Sequence, residues 1–205
     1  MKYWDKFYQS KFVDKSIKDI PSQFSIFALN EMIESNVVNV IEYGCGTGKD
    51  SIFFSSKNMN VIAFDSCQSA IDICNNSALD SQIEFNKIDN FCQSKDYIDK
   101  IDGKSCVYTR FFIHALTDDD ILSFLDNLSH ITKPNDLFIS EFRIKGDEKN
   151  LKETEDHYRN FIDPEVFLNL LRSHNFTIQY NITGKGFAKY RNDDALVIRI
   201  VATRD

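Results

Sequence analysis

An acidic residue and three glycines at alternate positions, Glu42-x-Gly44-x-Gly46-x-Gly48, form the most chemically specific spacing in the chain. Glycine lets the backbone reverse within a few residues and lets a ligand lie against main-chain atoms that a Cβ would cover. The spacing argues against the commoner nucleotide loops. A dinucleotide turn needs G-x-G-x-x-G, and Lys49 stands where the third glycine belongs. A phosphate loop needs Gly-Lys-Ser/Thr, and Gly48-Lys49-Asp50 lacks the hydroxyl that would hold magnesium. A carboxylate at Glu42 would repel a pyrophosphate and suits a cationic or amine-bearing ligand. Asp65 follows 21 positions after Gly44, ending the apolar run Val61-Ile62-Ala63-Phe64. A carboxylate placed there can accept from both hydroxyls of a ribose. Asp89-Asn90 close a second short run that starts at Ile83.

Further along lie groups suited to an acceptor. Arg110 and His114 are four residues apart and can share a face; Glu141 and Arg143 are two apart and point the same way in a strand. His157, Tyr158 and Arg159 form a third group. Guanidinium favours flat oxyanions such as phosphate or carboxylate, so these residues point to an anionic acceptor. His114 could take a proton from it, or could be a buried histidine bonded to backbone. Glu141 and Arg143 could equally neutralise each other. Lys185, Lys189 and Arg191 read best as a solvated turn.

These residues need a scaffold, and its pattern is strand–helix alternation. Val37 to Tyr43 reads as a β-strand, and a helix begins after Gly48. Strands follow near 61–65, 83–88, 105–108, 137–142, 176–180 and 195–202. Helices are expected from Pro21-Ser22, with Phe24, Phe27, Ala28, Met32 and Ile33 inward, and over 69–76 and within 91–104. Another starts at Thr117-Asp118-Asp119-Asp120. A last one starts at Asp163-Pro164, with Phe167, Leu168, Leu170 and Leu171 inward. The last two strands are joined without a helix and should form an antiparallel hairpin. The expected fold class is therefore α/β: a Rossmann-like seven-stranded sheet, mostly parallel with an antiparallel last strand and helices on both faces. Residues 1–205 are expected as one domain, with a helical cap over 1–36, a ligand-binding half over 37–142 and a substrate-side half over 143–205. The charged stretch 143–156 reads as a lid or substrate loop.

Composition narrows the function. A net charge of −7 argues against nucleic acid as a partner. No apolar run approaches a membrane span, and the N-terminus has no signal-peptide core. Five cysteines without a C-x-x-C pair suggest reduced thiols in the cytoplasm, and four scattered histidines give no metal site.

In its glycine motif and the two acids that follow, the chain resembles the class I S-adenosylmethionine-dependent methyltransferases, whose first motif reads E/D-x-G-x-G-x-G. The resemblance implies S-adenosyl-L-methionine as cofactor, held by Glu42, Gly44, Gly46, Gly48, Asp65, Ser66, Asp89, Asn90 and Arg110. It implies that Asp65 holds the ribose and Asp89 the adenine amino group. It implies too that the aromatic N-terminal face, Tyr3, Trp4, Phe7 and Tyr8, folds over the cofactor mouth. His114, Arg110, Glu141, Arg143, His157, Tyr158 and Arg159 then become the acceptor-side and catalytic candidates. The segments 108–115, 156–159 and 184–188 are similar to small bacterial methyltransferases of surface-polysaccharide biosynthesis. The family's N/D-P-P-Y/F signature after strand 4 is missing, which favours O-methylation or a small-molecule acceptor. The expected activity is O-methylation of a small anionic metabolite or polysaccharide precursor by a monomer or homodimer. The alternatives are a thiol or chalcogen methyltransferase, a cofactor-binding protein without catalysis, and, more weakly, a Rossmann oxidoreductase.

Overall fold

The computed structural model describes residues 2–9, 20–77, 83–153 and 157–205. Seven strands form one sheet in the order β3-β2-β1-β4-β5-β7-β6, with helices around it. They are β1 (Asn39–Tyr43), β2 (Asn60–Asp65), β3 (Ile83–Lys87), β4 (Ser105–Arg110), β5 (Leu137–Arg143), β6 (Phe176–Gly184) and β7 (Val197–Arg204). β1, β2 and β3 pair in parallel, while β7 runs antiparallel to both β5 and β6. This is the expected fold class, and the hairpin of β6 and β7 is where the missing helix put it. By internal packing the chain groups into two compact units, Met1–Cys106 and Val107–Asp205.

The first unit carries α1 (Lys2–Gln9), α2 (Gln23–Glu34), α3 (Lys49–Ser55), α4 (Gln68–Ser77) and α5 (Lys95–Ile98). Every residue of β1 is buried, as a central parallel strand covered on both faces requires. Ser22 caps α2 by accepting the Ser25 N–H, and Asp50 of α3 in turn accepts from both the backbone and the hydroxyl of Ser22. The start of α2 is thereby tied to the helix behind the glycine loop. Phe24, Ala28 and Met32 are buried as expected, but Phe27 is half-buried and Ile33 is 59% exposed. The inward stripe runs instead through Phe24, Ala28, Leu29 and Met32, and Ile33 falls outside its arc.

The second unit carries α6 (Asp118–Ile131) and α7 (Pro164–Ser173). Thr117 and Asp120 form a reciprocal capping box at α6, and Asp163 with Pro164 starts α7. Phe167, Leu168 and Leu171 face inward, while Leu170 is half-buried. Residues 144–153 do not form a loose loop. Asp147 is buried and accepts from Arg143, Asn150 Nδ2 and the Leu196 N–H, and Lys152 Nζ donates to the carbonyls of Asp147, Glu148 and Asn150. The rest of the expected lid, 154–156, lies outside the described residues.

Candidate functional site

In the first unit β1 delivers the glycine loop. Gly44, Gly46 and Gly48 all have left-handed φ, of 75°, 56° and 73°. At Gly48 a Cβ would come within 3 Å of both Phe85 and Cys74, so this glycine lets β3 and α4 close on the loop. At Gly46 a Cβ would meet the Tyr8 hydroxyl at 2.8 Å. The loop is pinned to β2 as well: the Gly44 and Cys45 N–H groups donate to the Phe64 carbonyl at 2.8 and 3.1 Å.

Asp65 stands at the end of β2 and reaches the loop. One carboxylate oxygen accepts the Gly46 N–H at 3.0 Å and the other the Cys67 N–H at 2.9 Å. Burial raises its pKa above the ordinary value, partly offset by the backbone N–H groups of Cys67, Gly46 and Ser66. A carboxylate offers about four lone-pair sites, so the three backbone N–H groups leave about one for a ligand's hydroxyl. Glu42 is buried and accepts from the Ser51 hydroxyl of α3. Ser66 is exposed beside Asp65. Asp89 is exposed and paired with Lys87, and Asn90 caps the 3-10 turn Phe91–Ser94.

The sequence pattern gave α1 an aromatic face without saying what it covers. The structure sets Tyr8 beside Gly46, with Asp65, Cys45, Cys67 and Cys74 as its charged or thiol neighbours.

In the second unit two ion-pair sets stand at the ends of β4 and β5. Glu141 is fully buried and takes Arg110 Nε on one oxygen at 3.1 Å and Arg199 Nε on the other at 2.7 Å. Burial raises its pKa, and the two arginines offset part of that rise. Arg143 is buried and gives one terminal nitrogen to Asp147 and the other to Asp193. Burial would raise the Asp147 carboxyl, but hydrogen bonds from Asn150, the Leu196 N–H and Arg143 hold it below its usual range. The Arg110 and Arg143 guanidiniums stand 4.8 and 5.5 Å from the Phe111 ring centroid. Phe111 has φ +52°, an unusual conformation for a bulky residue, and its N–H donates to the Glu141 carbonyl at 2.8 Å.

His114 is only 5% exposed, in the turn Ile113–Ala115. Its Nδ1 faces the Arg143 backbone N–H at 3.2 Å, so Nδ1 is the acceptor and Nε2 carries the proton. Burial first, then Arg143, Arg159 and His157, lower its pKa to about 3. The Asn160 N–H donates to the His114 carbonyl at 2.7 Å and anchors the 157–160 segment on this turn. Arg110, His114, Glu141 and Arg143 are therefore neighbours, with His157 and Arg159 within electrostatic reach. Tyr158 is 58% exposed. The sequence reading missed Asp147, Asp193 and Arg199 as partners. A signal for one existed: Arg199 interrupts the apolar run of β7, and the antiparallel register sets it opposite Glu141.

The first unit's residues fit a nucleoside cofactor with an amino-acid tail. A Cβ at Gly46 would crowd the loop, and Asp65 keeps a lone pair at the strand end. Residues 40–135 match the family described as "Methyltransferase domain". Those residues are similar to a methyltransferase domain, and S-adenosyl-L-methionine is the cofactor that the glycine loop and Asp65 fit. It is similar in structure to a SAM-dependent methyltransferase from Anabaena variabilis, with 16% identity, TM-score 0.74, and coverage of 100% of this chain and 93% of that one. It is also similar to the glycopeptide N-methyltransferase MtfA complexed with sinefungin, an S-adenosylmethionine analogue (13% identity, TM-score 0.64, 95% and 90% covered). The [4+2]-cyclase SpnF shares the fold at 11% identity and TM-score 0.67, over 88% of this chain and 79% of its own. The sequence matches no curated protein. Among the described residues no helix is long and apolar enough to cross a membrane.

Proposed function

We propose that this methyltransferase methylates an oxygen of a small anionic metabolite or polysaccharide precursor, an oxygen that arrives already ionised. The observation that carries the reading is the gathering of arginines around His114. Arg110 and Arg143 stand over the same Phe111 ring. In a chain of net charge −7, burial first, then Arg143, Arg159 and His157, disfavour a proton on the imidazole, while Asp147 opposes them. The same positive charges favour an anion.

The second reason is the state of the two buried titratable groups. His114 is neutral, its one lone pair faces the Arg143 N–H, and its other nitrogen already holds a proton. Glu141 is bridged by two guanidiniums. Neither is suited to act as a general base, so an acceptor that needs none fits best. S-adenosylmethionine supplies an electrophilic methyl on a sulfonium, so transfer is an in-line displacement in which the C–S bond breaks as the C–O bond forms. The chain's part is to hold the acceptor and exclude water. Arg143, with both terminal nitrogens on carboxylates, sets the shape of the cluster; Arg110, Arg159 and His157 are the groups placed to meet the anion. Five free thiols favour a reducing compartment, the cytoplasm.

The test is release of S-adenosylhomocysteine on a panel of nucleotide-linked sugars, sugar phosphates, carboxylates, thiols and amines. Turnover is expected on phosphate- or carboxylate-bearing members, with a pH profile flat from about 6.5 to 9 because the acceptor is already ionised. Transfer confined to thiols or amines overturns the reading.

A further inference from the structure

Gly46 joins two peptide units, and with no Cβ it restrains neither of them. Each unit is fixed instead by a different neighbour. The peptide before Gly46 gives its N–H to Asp65 of β2 at 3.0 Å. The peptide after it carries the Gly46 carbonyl, which accepts the Cys74 thiol of α4 at 3.2 Å. Cys74 is fully buried, on the inward stripe of α4 with Ala70 and Ile71. Its sulfur also lies 2.9 Å from an ideal Cβ on Gly48, and the Cys45 thiol is its hydrogen-bonding neighbour. One side chain of α4 thus meets the loop at residues 45, 46 and 48. That hydrogen bond first, then burial, push the Cys45 thiol well above its ordinary pKa, so it stays protonated at neutral pH. A protonated Cys45 can donate to the Cys74 sulfur, which leaves the Cys74 proton for the Gly46 carbonyl. A thiol suits the place because it packs as a small apolar group and still carries a weak donor.

We propose that Cys74 is a positioning residue for the cofactor loop: together with Asp65 it fixes both peptides of Gly46, so the loop meets the cofactor already in its binding shape. Glycine loses more freedom on ordering than any other residue, so a loop ordered in advance binds more tightly than one the ligand must order. Cys74 acts through the Gly46 peptide and not on the ligand. The inference rests on the glycine loop and Asp65 being the place where the cofactor binds.

Calorimetry of the full chain with S-adenosylhomocysteine tests this, with melting temperature measured alongside. Cys74→Ala removes the donor and should bind about three- to tenfold more weakly at a temperature where the variant is fully folded. Cys74→Ser keeps a donor on a side chain of similar size and should stay within about twofold of the wild type. If Cys74→Ala folds poorly, Cys74→Val takes its place, since it fills the site without a donor. Wild-type affinity in the folded alanine or valine variant overturns the proposal, even where the melting temperature drops, because Cys74 would then only stabilise the core. A serine variant as weak as the alanine one overturns it too, because packing rather than the donor would then hold the loop. Asp65→Ala separates the two failures. If it weakens binding while Cys74→Ala does not, only the positioning role falls; if neither weakens it, the cofactor site lies elsewhere and the proposal falls with it.

Discussion

His114 decides between two mechanisms, and a single hydrogen bond separates them. With Nδ1 turned to the Arg143 N–H, its replacement by Gln, whose side-chain oxygen can accept the same bond, should leave turnover per folded molecule within about threefold. A general base would lose about 10²-fold or more. The pH dependence gives a second readout. The folded-state pKa lies near 3 against an ordinary 6.5, so between those values the unfolded chain binds a proton that the folded chain does not. Stability therefore falls as pH drops through this window, by about 2 kcal/mol from 6.5 to 5. Urea midpoints at pH 7 and 5 should move apart in the wild type, and His114→Gln should narrow the gap by that amount. At the cofactor loop, Asp65→Ala should weaken S-adenosylhomocysteine by about 1.5–3 kcal/mol in calorimetry, and Asp65→Asn by less. Gly46→Val should abolish binding. The Tyr8 hydroxyl it strikes could swing aside, but a β-branched residue at φ +56° cannot be relaxed as easily.

Elements that rest on local signals were legible in the sequence. The Thr117–Asp120 capping box and the Asp163-Pro164 start of α7 follow from residues within a few positions of one another, and the terminal hairpin from the lack of a helix between its two strands. What escaped depends on residues far apart. Nothing near Arg143 says that its partners are Asp147 and Asp193, the second of them 50 positions away. The stretch 144–153 looks like a lid because it is charged, but Asp147 turns inward to Arg143, Asn150 and the Leu196 N–H. Arg143→Ala tests that difference between a contact residue and a strut. It would leave two buried carboxylates without their cation, which costs about 3–5 kcal/mol, and denaturant unfolding should register it. Arg159→Ala, at a half-buried position, should cost less than about 1 kcal/mol in the same measurement and act on the acceptor instead. Equal stability losses in the two variants would remove the distinction.

Across the whole molecule an excess of seven negative charges faces any incoming anion. At 0.15 M salt the Debye length is about 8 Å, so this repulsion acts mainly at low ionic strength, whereas the arginines act at contact. Added salt thus has two opposite effects on an anionic acceptor: it screens the long-range repulsion and weakens the local attraction. With the positive cluster intact the second should prevail, and the acceptor's KM should rise between 20 and 200 mM salt. In Arg159→Ala much of the local attraction is gone, so KM should start higher and fall over the same range as the repulsion is screened. Cofactor affinity should stay unchanged in both, since Arg159 is an acceptor-side candidate and not one of the cofactor-binding candidates. Steady-state kinetics at four salt concentrations, with the acceptor found by the panel, measure both slopes. Parallel slopes in wild type and variant would mean that Arg159 does not meet the acceptor's charge. An acceptor whose KM falls with salt even in the wild type would mean that the chain's overall field, and not its arginine cluster, governs the encounter.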